Sequence, residues 1–353
     1  MELTTVWFAL IAILWIGYFT LEGFDFGVGI LLPVLAKDEQ EKRVLYNTIG
    51  PLWDGNEVWV LTAGGATFAA FPEWYATLFS GFFLPLLLIL VALIVRNLAF
   101  DYRGKKDSAV WRANWDKAAI VGSFLPALLW GVAFANIVAG VPMKANPGGH
   151  GVLFDGNLFT LLNPFGLLGG LVTLSLFTTH GAMFVALKTD GEIRHRARAL
   201  SVKLGLVTAV LAVIFLVWTV AKDGWNLMPI VLFALAAVAL LAAIFMATKG
   251  REGWAFIGTF ATIALAVAGL FWVLFPAVMP ASNDAALSLM AGHNPAQGIS
   301  AASSQYTLTV MTWVAVIFTP IVLIYQAWTY WVFRKRIATH HIPAVDVPEG
   351  LSV

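Results

Sequence analysis

The 353-residue sequence contains no cysteine. That excludes disulfides, thiolate metal sites, iron–sulfur clusters and a cysteine nucleophile, and leaves the redox state of the compartment open. Charge is also scarce: Asp, Glu, Lys and Arg make up 12% of the residues and the formal net charge is +1, so no basic surface for nucleic acid is present. Only His180 of the six histidines (His150, His180, His195, His293, His340, His341) falls in a long apolar run. A copper and haem oxygen-reducing centre needs several intramembrane histidines, so that chemistry does not reside in this chain. His180 itself is expected to pack rather than to ligate. No Gly-rich phosphate loop and no Ser/His/Asp arrangement is recognisable. Lysine is missing from the centres of the apolar runs as well.

What fills the sequence instead is apolar: 60% of the residues are hydrophobic, with 26 Phe and 15 Trp. A chain of this composition belongs in a bilayer. Windows of about 20 residues give nine candidate membrane helices, near 6–32, 51–71, 76–99, 117–140, 158–187, 198–221, 227–247, 253–279 and 306–334. The opening Met-Glu-Leu-Thr-Thr lacks the basic start of a secretory signal, and the first run is too long for one, so it reads as a retained span. All basic residues except Lys144 and Lys222 fall beside alternate connections, after the first, third, fifth, seventh and ninth runs. The positive-inside rule then places the N-terminus outside and the C-terminus in the cytoplasm.

Within this frame the acids are the informative residues. Asp25 and Glu22 lie in the first run, and Asp54 and Glu57 open the second. A charge near the bilayer centre costs about 2.5 to 3.5 kcal/mol on insertion scales, so an acid there usually serves protons, ions or a buried partner. Counting back from residue 32 puts Asp25 roughly 10 Å from the cytoplasmic face. The second run returns from that face, with Pro51 suited to its first turn, Asp54 at the mouth and Glu57 one turn deeper. Four carboxylates thus converge in the inner leaflet as candidate proton carriers. For Asp54 and Glu57 there is a blander alternative, that they are helix N-terminal acids favoured by the dipole. Gly23, Gly27 and Gly29 leave a groove beside Asp25 for a packed helix, a file of water, or both.

Arg96, Asp101, Tyr102 and Arg103 close the third run, where they either pair with a partner subunit or anionic lipid, or form a solvated helix end. Trp53, Trp59, Trp111 and Trp115 near the inner face and Trp74 near the outer one suit an aromatic belt. The connections 141–157 and 280–305, rich in Gly, Pro, Asn, Ser and Ala, read as outer loops, and residues after 337 as a mobile cytoplasmic tail.

Five segments carry a family resemblance: Gly-Phe-Asp-Phe-Gly-Val-Gly (23–29), Pro-Leu-Trp-Asp-Gly-Asn-Glu-Val-Trp (51–59), Phe-Asp-Tyr-Arg (100–103), Leu-Asn-Pro-Phe-Gly-Leu-Leu (162–168) and Val-Met-Thr-Trp-Val-Ala-Val (310–316). In this order they resemble subunit II of cytochrome bd quinol oxidases. The resemblance implies an all-α polytopic membrane protein of nine transmembrane helices in one transmembrane domain over 1–336. That domain would comprise a four-helix bundle (1–140), a second four-helix bundle (158–280) and a peripheral ninth helix (306–336), with a tail over 337–353. It further implies a homologous partner, subunit I, holding two b-type haems and one d-type haem and oxidising quinol. This chain would bind no haem of its own, with a structural quinone as an option. Dioxygen is the other substrate of such a complex, its setting is the bacterial cytoplasmic membrane, and small accessory subunits remain open. By motif, Asp25 and Asp54 would contribute to its cytoplasmic proton route, assisted by Glu22. The motif does not demand an acid at Glu57. A competing reading is an ion-coupled transporter, with Gly64 and Gly65 as the hint of a broken helix. A third is a purely structural subunit whose acids only pack.

Overall fold

Lipid offers backbone groups no hydrogen-bond partner, so apolar runs of this length close their N–H and C=O groups within helices. The computed structural model describes residues 2–148, 151–292 and 298–343. Its helices are α1 (Leu3–Leu35), α2 (Glu39–Ile49), α3 (Trp53–Ala70), α4 (Pro72–Gly81), α5 (Phe83–Tyr102), α6 (Ala109–Ala139), α7 (Leu158–Leu161), α8 (Pro164–Lys188), α9 (Glu192–Lys222), α10 (Leu227–Thr248), α11 (Glu252–Leu274) and α12 (Gln305–Val332). Among the described residues, eight of these (α1, α5, α6 and α8 to α12) are long and apolar enough to cross a membrane. Helix α3, 18 residues long with Asp54, Asn56 and Glu57 in its opening turns, is not among them.

Several boundaries differ from the sequence reading. Helix α1 continues through Pro33 to Leu35. The third run starts earlier, at Pro72, and is interrupted at Phe82. The eighth run ends at Leu274, because Pro276 has no N–H to continue the helix. Its last residues enter a small sheet, in which Ala277–Met279 pairs antiparallel with Leu289–Met290, and Leu289–Met290 pairs parallel with Ile299–Ser300. The other connection at this end forms an antiparallel pair, Met143–Ala145 with Val152–Phe154. Within 158–187, Asn163 caps a new helix start at Pro164.

Helix α1 is central, packing on α3, α6, α8 and α11. One half of it is aromatic: Trp15 meets the rings of Trp130 and Phe134 edge-on at 5.0 and 4.8 Å. The other half is tightened by glycine. A Cβ on Gly27 would lie 2.1 Å from the Phe177 carbonyl oxygen and 2.8 Å from the Gly181 Cα, so α1 and α8 approach backbone to backbone there. Gly23 faces the Phe177 ring and Gly29 faces Ser123 on α6. The groove expected along α1 is therefore filled by helices. Gly27→Ala is expected to destabilise the subunit by about 2 kcal/mol, as overpacking does. Thermal unfolding of the purified complex checks this, and an unchanged transition would sink it.

Two features of the basic end were not foreseen. The first is α2, an amphipathic helix capped by Asp38, whose side chain accepts from the Glu41 N–H at 2.8 Å. It buries Val44, Leu45 and Ile49. The second is the chain after α12, expected to be mobile from residue 337. Up to Pro343 it is instead docked: Lys188 Nζ donates to the carbonyls of Phe333 and, at 3.0 Å, Lys335, and Ile337 exchanges backbone hydrogen bonds with Lys188 and Asp190. Gln40 donates to the Thr339 and Ile342 carbonyls, both at 2.9 Å, and Ile342 is buried. Residues 344–353 lie outside the described residues. Replacing Lys188 by Met should make trypsin cut after Arg334 several-fold faster without loss of the complex, because the carbonyls it holds would lose their partner. Equal digestion rates would refute that.

Candidate functional site

The four sequence-selected acids occupy three kinds of surroundings. Glu22 and Asp25 are both 0% exposed, Glu57 is half-buried and Asp54 is exposed. Because α1 ends at Leu35, Asp25 lies ten residues from that end, about 15 Å along the axis rather than 10 Å.

Glu22 pairs with Arg96 of α5, and both side chains are fully buried. Arg96 thus differs from its expected place among partner-facing or lipid-facing residues. Its guanidinium lies over the rings of Phe26 (4.8 Å) and Phe100 (5.3 Å), within electrostatic reach of Asp25 and Glu57. Gly122 of α6 makes room for it, since a Cβ there would meet Arg96 Cβ at 2.7 Å. Arg103 is turned inward too. It forms a bidentate pair with Glu39 (2.7 and 2.8 Å) and bonds Asp116 at 2.6 Å. Lys42 and the Tyr46 hydroxyl join the same Asp116 carboxylate, each at 3.0 Å. Burial, and then the Asp116 charge, push the Tyr46 phenol well above its ordinary range, which keeps it a donor. Asp101 and Tyr102 remain exposed.

Among the described residues, Asp25 has no cation at hydrogen-bond distance. Its Oδ2 accepts from Nδ2 of Asn56 at 2.7 Å, and Oδ1 is buried without a protein partner among the described residues. Glu22 Oε2, Arg96 Nε and Nη2, and Asn97 Oδ1 are orphaned in the same way. Five such atoms in one region mark a polar interior suited to ordered water. Asn97 donates to Glu57 at 2.6 Å. Glu57 and Asp54 line one side of a cleft of about 680 Å³ between α3, α4 and α5, which continues past Gly64 and Gly65 to Phe68 and Phe83. Those glycines sit in an unbroken α3 with open space beside them, so the hint of a broken helix disappears.

Sequence reasoning missed Asn56, Asn97, Gln326 and Tyr330. Asn56 lies inside the 51–59 motif, and a buried amide between two acids was the available signal. Nothing local marks Gln326 and Tyr330, about 270 residues away. Trp74 is buried beside Phe71 rather than placed in an outer belt.

His180 is fully buried between α1 and α11. Nδ1 is hydrogen-bonded to Thr259 Oγ1 at 2.7 Å and Nε2 to the Thr20 carbonyl at 3.1 Å, while the ring stacks on Phe256. With both nitrogens engaged, it does not fit the role of a haem ligand. His195 lies in the first turns of α9 and His340 and His341 lie after α12, all at the basic end, and His150 and His293 are outside the described residues. An apolar cavity of about 130 Å³ lies among α6 and α8 to α11. Its hydroxyls are already in use, Thr173 on the Ala127 carbonyl, Thr208 on Thr179 and Thr262 on the Gly258 carbonyl. It therefore does not fit a quinone headgroup, whose two carbonyls need donors.

Over residues 3–333 the sequence matches the family described as cytochrome bd terminal oxidase subunit II. The chain belongs to the cytochrome bd terminal oxidase subunit II family. It is 38% identical to the cytochrome bd-I ubiquinol oxidase subunit 2 of Escherichia coli (strain K12), over 96% of each chain. It is 39% identical to the cytochrome bd ubiquinol oxidase subunit 2 of Bacillus subtilis (strain 168), over 96% of this chain and 97% of that one. A probable cytochrome oxidase subunit 2 of Haemophilus influenzae is 40% identical over 92% of each. The bd oxidase from Geobacillus thermodenitrificans shares the fold, with a TM-score of 0.71 over 95% of this chain and 100% of that chain at 15% identity. As a subunit II, the chain is a multi-pass membrane component of a respiratory-chain oxidase and implies a partner subunit I.

Proposed function

We propose that this chain is the haem-free subunit of a quinol:oxygen oxidoreductase of the bacterial cytoplasmic membrane, and that it carries protons inward to the oxygen-reducing site of subunit I. In this reading α3 is the ninth span, the helices form two groups of four with α12 peripheral, the N-terminus is outside and the basic end is cytoplasmic. The partner holds the two b-type haems and the d-type haem, which supply electron storage and dioxygen binding. Asp101 and Tyr102, exposed at the basic end, are left to meet subunit I or lipid.

Reduction of one dioxygen to two waters takes four electrons and four protons. Two quinols supply the electrons and release their own four protons outside, so protons drawn from the cytoplasm make the reaction generate a potential without a pump. The observation that carries the reading is Asp25: fully buried, with no directly bonded cation and one oxygen unpartnered among the described residues. Graded exposure supplies an order, from exposed Asp54 through half-buried Glu57 to Asp25 and Glu22. The orphaned atoms of Glu22, Arg96 and Asn97 offer sites for water between them.

The test is quinol-driven oxygen consumption in membranes carrying Asp25→Asn or Asp54→Asn, with haem spectra to verify assembly. Intact haems with full turnover in Asp25→Asn would overturn the conduit. Loss of haem would assign these acids to holding the subunits together.

A further inference from the structure

The two oxygens of Asp25 are held unequally, and helix α12 decides how. Asn56 presents an amide whose one end donates and whose other end accepts. The indole of Trp59 can only donate, and it does so to Gln326 Oε1 at 2.8 Å. The other end of Gln326 is therefore its NH₂ group, 3.4 Å from Asn56 Oδ1. The Tyr330 hydroxyl donates to that same oxygen at 2.7 Å. With two donors from α12 on Oδ1, Asn56 Nδ2 is directed at Asp25 Oδ2 (2.7 Å) and the Leu21 carbonyl (3.4 Å).

We infer that Gln326 and Tyr330 are positioning residues which lock Asn56 as a donor to Asp25, so that Asp25 takes up and releases its proton only through Oδ1. This rests on the reading of Asp25 as a proton carrier. An amide N–H cannot accept a proton, so Oδ2 is closed to exchange while that hydrogen bond stands. Were Asn56 turned over, its carbonyl oxygen would face Oδ2 and hold a proton there, on the wrong side of the carboxyl group. The polarity originates at Trp59, passes to α12, returns to α3 at Asn56 and ends on α1. Helix α12 suits the task because it is otherwise lightly held. Only its Leu308 is buried, and Trp7 ties it at one end, to the Leu308 carbonyl at 3.3 Å and Thr312 at 3.1 Å. The docked segment through Lys188 fixes the other end.

The experiment uses the intact two-subunit oxidase with Tyr330→Phe, Gln326→Leu and the double variant. Tyr325→Phe serves as the control, since this residue is 63% exposed on the same helix. Infrared difference spectra identify the Asp25 carboxyl band by its disappearance in Asp25→Asn, and the pH profile of quinol-driven oxygen consumption is measured beside them. The expected result is a displaced or split Asp25 band and a pH profile moved by about half a unit or more in Tyr330→Phe, further in the double variant, with haem spectra unchanged. Tyr325→Phe should match the parent. Tyr330→Phe keeps the ring and its packing, so it carries the test if the double variant fails to assemble. An Asp25 band and pH profile indifferent to loss of the Tyr330 hydroxyl would overturn the positioning role alone. No Asp25 band together with full turnover in Asp25→Asn would overturn the proton-carrier reading and this inference with it.

Discussion

Oxidase carrying Asp25→Asn is expected to keep its haem spectra and to lose quinol-driven oxygen consumption by roughly a hundredfold or more, the scale that a positioned proton-transfer group contributes. Asparagine has nearly the same shape and removes only the capacity to bind and release a proton. Asp25 is 0% exposed and has no bonded cation among the described residues, so the substitution orphans no buried charge there. Asp54→Asn should cost far less. Its carboxylate is exposed at the mouth of a cleft that Glu57 also lines, so the cleft stays open to Glu57 without it. The two variants are compared in membranes at saturating quinol, normalised to haem. A loss at Asp54 equal to that at Asp25 would mean that entry at the mouth, not transfer at depth, limits turnover. Full activity in Asp25→Asn would remove the conduit from this chain.

Arg96→Met is expected to abolish most assembled complex. Breaking a buried ion pair from one side leaves the other charge unpaired and costs about 3 to 5 kcal/mol. Here both partners are fully buried, and the guanidinium also loses its contacts with Phe26 and Phe100. Removing both charges, as Glu22→Gln with Arg96→Met, should recover most of the lost stability, since the desolvation that the pair had to offset disappears with it. Subunit content of membranes and thermal unfolding of the purified complex provide the measurement. A double variant as unstable as the single would show that packing of the Arg96 side chain, rather than its charge, holds α5 to α1. Turnover of a recovered double variant also decides the part of Glu22. Normal oxygen consumption without it would leave Asp25 as the only buried acid on the route.

The sequence by itself determined the membrane class, the approximate spans, the segregation of basic residues to one end, the family and the presence of acids at depth. These follow from local composition, because transfer into lipid depends on each segment's own residues along the bilayer normal. The acids of 22–25 and 54–57 were legible for the same reason: they interrupt apolar runs. What hydropathy does not carry is azimuth. Helices such as α1 and α8 are apolar on nearly every side, so nothing in their own pattern says which face meets which neighbour. Tertiary packing settled that, through close approaches such as Gly27 on Gly181, and it alone paired Glu22 with Arg96 of a different helix. It likewise brought Tyr330 to Asn56 across 274 positions and docked the chain after α12 that composition had marked as a tail. A buried polar group must find its partner wherever the fold supplies one, and that partner is seldom its neighbour in sequence.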